Sequence, residues 1–140
     1  MASGAGVRTP GQIADCLANP AISPEQEVDR TTVFPKPGVP QQDIVLKCGN
    51  VEVFGARHIH AGHPINNPVT FGECYSTALA ADEAPTPGSS PDSLEWDYQY
   101  GPGLSVVVIT DTIDRDVITA YTTGPNSADW DGCAAAIPGP

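Results

Sequence analysis

The chain has 140 residues and a formal net charge of −11, with six Lys and Arg side chains against 17 Asp and Glu. This length predicts one domain with a single hydrophobic core. A general nucleic-acid binder needs many cations to neutralise phosphates, so the charge excludes an extended basic surface and allows only a small local site. The 14 Gly and 15 Pro favour long loops and extended segments over a helical bundle.

The N-terminal region predicts a linker followed by two short helices. Residues 1–8 are interpreted as a linker segment and residues 9–140 as a single domain. A helix is expected from residue 9 to residue 19, because Pro is favoured at the first helical position and a second Pro follows the expected end. Residues 23–27 repeat the pattern of a cap, a Pro and an acidic first turn, which predicts a second helix.

The middle of the chain predicts a strand and a helix. Three prolines within residues 34–40 predict an extended connector. The apolar run 44–48 predicts a strand. Residues 51–61 fit both strand and helical spacing, and we prefer a helix over about 54–63, closed by a Gly and a Pro. Residues 71–79 fit either a strand or a short helix.

The C-terminal third predicts an antiparallel meander. Residues 82–93 are interpreted as a flexible loop. Strands joined by tight turns are expected at 94–100, 104–110 and 116–122, and the tail 124–140 is expected to be a loop pinned by a cysteine. The expected fold is therefore α+β, with short N-terminal helices packed on a three- to four-stranded antiparallel meander sheet and stapled by disulfides.

Four cysteines are dispersed along the chain without a C-x-x-C pair: Cys16, Cys48, Cys74 and Cys133. An even set in a small chain rich in Pro and Gly predicts two disulfides and a secreted protein, with three possible pairings left open. Four buried free thiols in a cytosolic protein are the alternative. No signal peptide and no membrane-spanning run is present, which favours a trimmed secreted chain or one domain of a longer one.

All three histidines of the chain lie within six residues, at His58, His60 and His63. Histidine titrates near neutrality, so two facing rings can serve as acid and base, and neutral imidazole is also a common metal ligand. On a helix, His58 and His63 point about 140° apart, so they converge only if the helix ends near Gly62 and His63 lies on the following loop. A third interpretation gives the histidines no chemical role.

The spacing His-x-His-x-x-His is similar to the metal-binding element of the metallo-β-lactamase superfamily. Two features depart from that pattern, because Gly62 stands where the family has Asp and no histidine follows His63. The set of ligands is too small for a stable site, so we expect no metal ion and no other cofactor.

Two motifs carry a broader resemblance, over about residues 44–122. The motif RHI at 57–59 is followed by HP at 63–64, and after a spacer rich in Gly and Pro a strand contains VITAY at 117–121. This pattern resembles secreted bacterial polymorphic-toxin ribonuclease domains of the barnase–EndoU–colicin–RelE group. The resemblance implies a metal-independent endoribonuclease, in which the 2′-hydroxyl of RNA attacks the adjacent phosphate.

The resemblance also implies roles for individual side chains. His58 and His63 would be the general base and the general acid. Arg57 or Lys47 would stabilise the negative charge that develops on the phosphorane.

Two strand faces supply the remaining candidates. Thr119 and Tyr121 share one face and, by the same resemblance, would orient the phosphate or the substrate base. Trp96, Tyr98 and Tyr100 share one face by strict alternation. These aromatic side chains are candidates for stacking on bases, although such a face more often packs in a core.

A second function class fits the same composition. The excess of acidic over basic side chains and the expected disulfides are typical of a non-catalytic extracellular interaction module. The expected partners are RNA for the enzyme, or a cognate inhibitor or basic protein that complements the negative charge. We expect a monomer with no membrane association.

Overall fold

The structure is a computed structural model that describes residues 4–5 and 9–137. This part of the chain forms four helices: α1 at Pro10–Ala18, α2 at Gly55–Gly62, α3 at Pro68–Ala80 and α4 at Trp130–Ala136. It also forms seven strands: β1 at Gly4–Ala5, β2 at Glu27–Val33, β3 at Gln42–Lys47, β4 at Thr86–Pro87, β5 at Ser93–Gly101, β6 at Leu104–Asp111 and β7 at Val117–Thr122. The predicted α+β class is confirmed.

The strands form two antiparallel sheets. The first has the order β1-β2-β3 and the second has the order β4-β5-β6-β7. Because β5, β6 and β7 are neighbours both in the chain and in the sheet, the predicted meander is confirmed. The two sheets meet where the Val45 N–H of β3 donates a hydrogen bond to the Arg115 carbonyl oxygen, 3.0 Å away, just before β7.

Helix α3 lies at the centre of the core and contacts strands of both sheets as well as α1 and α4. Its side chains Phe71, Tyr75 and Leu79 recur every four residues and are fully buried, as expected for a helix with one apolar face. Phe71 packs edge-on against Trp130 of α4, with ring centroids 4.8 Å apart. The sequence of residues 71–79 fits either a strand or a short helix, and the structure shows that this segment is helical.

Two disulfides join the helices to the rest of the fold. Cys16 of α1 is bonded to Cys48 at the end of β3, and Cys74 of α3 is bonded to Cys133 of α4. The sequence predicted two bridges but could not choose this pairing. The bonds close 32 and 59 residues, so each contributes about 3–4 kcal/mol on the chain-entropy model.

A close approach of two glycines precedes the histidine-bearing helix α2. Gly55 begins this helix with φ of +87°, and a Cβ there would lie 2.7 Å from the Lys47 carbonyl oxygen. Gly49 has φ of +72°, and a Cβ there would overlap the backbone opposite. Only glycine lets the chain turn this sharply from β3 into α2. The helix ends at Gly62, one residue before the expected end, and His63 lies on the loop that follows, which meets the condition for His58 and His63 to converge.

Two predicted elements are wrong. Residues 23–27, expected as a helix, form a turn followed by the first residue of β2. The β-branched residues of this strand pair with β3, and its core-facing side chains are buried. The tail 124–140, expected as a loop, contains α4, which buries Trp130 and Cys133 against α3. In both places tertiary packing overrides the local pattern.

Two short strands lie in segments that were expected to be irregular. Strand β4 pairs with β5 inside the loop 82–93. Strand β1 pairs with β2 inside the linker segment 1–8, whose other residues lie outside the described part of the chain. Each adds a short edge strand and leaves the fold class unchanged.

Candidate active site

The sheet β5-β6-β7 has a core face and an outer face. On the core face Trp96, Val108 and Ala120 align across the three strands and are fully buried. The alternate side chains form two rows on the outer face: Glu95, Ile109 and Thr119 in the first row, and Asp97, Val107 and Tyr121 in the second. The expectation that Thr119 and Tyr121 share one strand face is therefore met.

His63 lies at the edge of the outer face, directly after α2. Its ring centroid is 5.6 Å from that of Tyr121, and its Nδ1 forms a hydrogen bond of 2.9 Å with Ser127 Oγ. Burial, and to a smaller extent the nearby charge of His58, lowers the pKa of His63 below its ordinary value. His63 is therefore mostly neutral near pH 7 and can accept a proton.

His58 lies on α2 and is close enough for its charge to act on His63. Its Nδ1 lies 2.9 Å from the Val51 carbonyl oxygen. Because a carbonyl oxygen only accepts hydrogen bonds, this Nδ1 carries a proton, and the neutral ring keeps its lone pair at Nε2. No described residue forms a hydrogen bond with Nε2 of His58 or His63. His58 and His63 therefore lie within electrostatic range of each other.

His60 has a structural position between them. Its Nδ1 accepts a hydrogen bond of 2.9 Å from the Ile65 N–H, which closes the turn after α2. Because a backbone N–H only donates, this Nδ1 is deprotonated, the opposite of Nδ1 in His58. His60 is therefore explained by the fold, and it serves below as a control for the other two.

Two carboxyl groups that the sequence analysis passed over lie on the outer face. Glu95 and Asp97 are half-buried and lie two residues apart on the same face of β5. Burial, then the hydrogen bond and charge of Glu95, raises the pKa of Asp97 to about 6. Strict alternation was the signal that could have found them, because residues that flank Trp96 in a strand must face away from the aromatic side.

Tyr121 sits between the histidines and these carboxyl groups. Burial, followed by the charges of Glu95 and Asp97, raises the pKa of its hydroxyl above the ordinary value. The hydroxyl therefore stays protonated at neutral pH and can donate a hydrogen bond to an anionic group.

Arg57 and Lys47, the cations expected to stabilise a phosphorane, make other contacts. The Arg57 guanidinium donates three hydrogen bonds to backbone carbonyls, at distances between 2.8 and 3.1 Å, and two of them lie in the segment 19–22. Lys47 forms ion pairs with Glu25 and Asp116, at 2.8 and 3.1 Å. Within the described residues, neither cation forms a hydrogen bond with His58 or His63.

Trp96 and Tyr98, considered for base stacking, face the core side of β5. Trp96 is 1% exposed, and its indole N–H donates a hydrogen bond of 2.8 Å to Thr110 Oγ1. Tyr98 is half-buried and packs against the core. A ring enclosed by protein has no free face for a base, so the expectation for Trp96 is corrected, and Trp96 is a core residue.

Neither a metal-binding cluster nor a membrane span is seen in the described part of the chain. Among residues 4–5 and 9–137, no group of three or more His, Cys, Asp and Glu side chains is arranged to hold a metal ion. Within the same residues, no helix has the length and apolar character that crossing a bilayer requires.

Comparisons of the chain with protein-family models, with curated proteins and with solved structures found no match. The expected resemblance to toxin ribonucleases therefore rests on the short motifs at 57–64 and 117–121 alone. Beyond these motifs, support for a function comes from the geometry of the outer face.

Proposed function

We propose that this chain is a secreted, metal-independent ribonuclease-like toxin domain that cleaves RNA through attack of the 2′-hydroxyl on the adjacent phosphate. The observation that carries the proposal is the position of His63, which lies against Tyr121 with His58 in electrostatic range. A half-buried imidazole with a lowered pKa at the edge of an open sheet can accept a proton at neutral pH. Activation of a 2′-hydroxyl requires such a base.

The remaining groups of the outer face support the same chemistry. In the simplest assignment His63 removes the proton from the 2′-hydroxyl and His58 donates one to the leaving oxygen. Thr119 and Tyr121 present hydroxyl groups on one strand face, where they can donate hydrogen bonds to phosphate oxygens as charge develops. Arg57 and Lys47 make other contacts within the protein and are therefore not assigned to the phosphate.

Secretion is supported by the two disulfides, because such bonds persist in oxidising compartments. The net charge of −11 limits contact with RNA to a small site, so cleavage should depend only modestly on salt concentration. The same charge would attract a basic protein such as a cognate inhibitor.

A non-catalytic interaction module is the second candidate. It is favoured by the excess of 17 acidic over six basic side chains, and by the engagement of Arg57 and Lys47 in contacts within the protein. Few cations then remain to hold RNA, whereas a basic protein would find many carboxylates.

Asparagine substitutions test the histidines one at a time. The side-chain amide of Asn stands where imidazole Nδ1 stood and places nothing at Nε2, so each variant can keep the Nδ1 contact of its histidine. His58→Asn and His63→Asn are expected to cleave total RNA at least about 10²-fold more slowly than the unchanged protein in the presence of EDTA. His60→Asn is the matched control, and its rate should stay close to that of the unchanged protein.

A dinucleotide with hydrogen in place of the 2′-hydroxyl completes the test, and it should not be cleaved. Its cleavage would leave an enzyme but remove the proposed attack by the 2′-hydroxyl. Absence of cleavage of any RNA by correctly folded protein would favour the interaction module.

A further inference from the structure

The loop between β7 and α4 is closed by a buried threonine at the end of β7. The Thr122 hydroxyl donates a hydrogen bond of 2.7 Å to the Asn126 carbonyl oxygen and accepts one of 2.9 Å from the Asp129 N–H. The Thr122 N–H donates to the Ser127 carbonyl oxygen, 3.1 Å away. Because Thr122 is 1% exposed, its polar groups need these partners, and the loop therefore has a defined shape that fixes the place of Ser127.

This loop and the start of α4 hold His63 at two points. Ser127 Oγ lies 2.9 Å from Nδ1 of the His63 ring. The Trp130 indole N–H donates hydrogen bonds to the carbonyl oxygens of His63 and Pro64, at 3.4 and 3.1 Å. Trp130 is itself buried and packs edge-on against Phe71. One segment of the protein therefore holds both the main chain and the ring of His63, and it is anchored in the core.

The partner of the His63 ring is an uncharged group. His58 on α2 acts on His63 through its charge, and the Tyr121 ring on β7 lies 5.6 Å away between centroids. Burial and His58 both lower the pKa of His63, and no carboxylate of the described residues opposes them. A carboxylate beside the ring would favour the imidazolium, whereas a hydroxyl adds no charge and leaves the ring neutral near pH 7.

We propose that Ser127 is a positioning residue for His63 as the general base, because it accepts the hydrogen bond of Nδ1–H and so keeps the lone pair at Nε2. This inference rests on the proposed ribonuclease function. A hydroxyl oxygen has lone pairs that can accept from Nδ1, and the hydrogen bond at one ring nitrogen determines which nitrogen is free to act.

The contact also persists through the reaction. The 2′-oxygen forms its bond to phosphorus while its proton passes to Nε2 of His63. The bond between phosphorus and the 5′-oxygen breaks, and that oxygen takes its proton from His58. The imidazolium of His63 still donates Nδ1–H to Ser127 Oγ, so the ring does not have to turn between the two states.

Titration of His63 by NMR tests the contact without any substrate. The ring signals are assigned by their absence in His63→Asn. Ser127→Asp is expected to raise the pKa of His63, because it places a carboxylate beside Nδ1. Ser89→Asp is the matched control, since Ser89 is exposed between β4 and β5 at the opposite edge of the sheet, and it should leave the titration unchanged.

Kinetics with a dinucleotide test the role in cleavage. Ser127→Ala is expected to lower kcat about tenfold and to leave KM nearly unchanged, because the ring loses its orientation while the contacts with the substrate remain. Ser127→Thr keeps the hydroxyl and should restore most of the rate. In Ser127→Asp the acidic limb of the pH–rate profile should move to higher pH together with the titration of His63. Thermal unfolding verifies that each variant is folded.

Each other result overturns the inference in a recognisable way. If Ser127→Ala cleaves as fast as the unchanged protein, or if Ser127→Asp leaves the titration of His63 unchanged, Ser127 does not position the base and the ribonuclease proposal still stands. If Ser127→Thr is as slow as Ser127→Ala, the hydroxyl is not the group that matters. If the unchanged protein cleaves no RNA, the proposed function fails, and the role of Ser127 in cleavage fails with it whatever the titration shows.

Discussion

The guanidinium group of Arg57 donates a hydrogen bond to the Ile22 carbonyl oxygen, 2.8 Å away, and ties helix α2 to the chain that follows α1. Two further hydrogen bonds from the same group run to other backbone carbonyls. The disulfide Cys16–Cys48 joins α1 to the end of β3, and the Cys48 carbonyl oxygen accepts a hydrogen bond of 2.9 Å from the Arg57 N–H. The helix that presents His58 is therefore anchored at its N-terminal end by the backbone and the side chain of Arg57.

Replacement of Arg57 by Met should lower stability more than it lowers catalysis. Arg57→Met keeps the length of the side chain but leaves three carbonyl groups without their charged donor, which costs about 2–3 kcal/mol in the free energy of unfolding. Urea unfolding measures this loss, and Arg115→Met, at an exposed arginine, is the control. Unchanged stability with a raised KM for RNA would instead return Arg57 to the phosphate-binding role.

The disulfides should be formed in protein that has never been reduced. Alkylation without reductant followed by intact-mass measurement should find no free thiol, and four after denaturation and reduction. Replacing Cys74 and Cys133 together by Ala should lower the free energy of unfolding by about 2–5 kcal/mol, because the bridge closes 59 residues. Modification of all four cysteines in freshly prepared, unreduced protein would contradict the pairing.

Local sequence patterns predict the helices and strands whose residues show a clear periodicity or end signal. They fail where tertiary packing determines the conformation of the segment. Strict alternation gives β5, and Pro at the helix start gives α1. Residues 23–27 satisfy every local rule for a helix start, yet the chain there becomes a turn because β2 finds its partner in β3. Helix α4 has only seven residues, three of them Ala at its end, so its apolar contacts with α3 could not be read from periodicity.

The candidate site also has a part that local sequence patterns predict and a part that only the fold shows. Alternation alone places Thr119 and Tyr121 on one face, and the same rule applied to β5 would have placed Glu95 and Asp97 opposite the aromatic side chains. The contact of His63 with Ser127 joins residues 64 apart in the chain, and no local pattern encodes it. Sequence therefore predicts which strand residues share a face, whereas the histidine that meets that face is known only from the fold.

Asp97→Asn should make the protein more stable at neutral pH. The pKa of Asp97 is raised from 3.8 to about 6 in the folded state, so its ionised form is penalised there. The penalty is complete above the folded pKa and disappears as the pH falls below the unfolded value. Solvent screening of this half-buried group reduces the effect to about 1 kcal/mol at pH 7.

Chemical denaturation at pH 7 and at pH 4 tests this sign. The variant should exceed the unchanged protein in free energy of unfolding at the higher pH and match it at the lower one. Asp92→Asn, at an exposed loop position, is the control and should change little at either pH. A loss of stability in Asp97→Asn at pH 7 would mean that the folded protein stabilises the ionised Asp97 carboxylate instead of penalising it.

The acidic limb of the pH–rate profile for cleavage should belong to His63. In the proposed mechanism His63 must be neutral to remove the proton from the 2′-hydroxyl. Burial, and to a smaller extent the charge of His58, lowers the pKa of His63 from 6.5. The fall of kcat/KM for a dinucleotide on the acidic side should therefore occur below pH 6.5.

Substitution of His63 tests this assignment. The rate falls at low pH because His63 gains a proton, so the residual rate of His63→Asn should lose the acidic limb. His60→Asn is the control and should keep this limb, because the hydrogen bond of His60 to the Ile65 N–H accounts for its position. An acidic limb that persists unchanged in His63→Asn would assign the base to another residue.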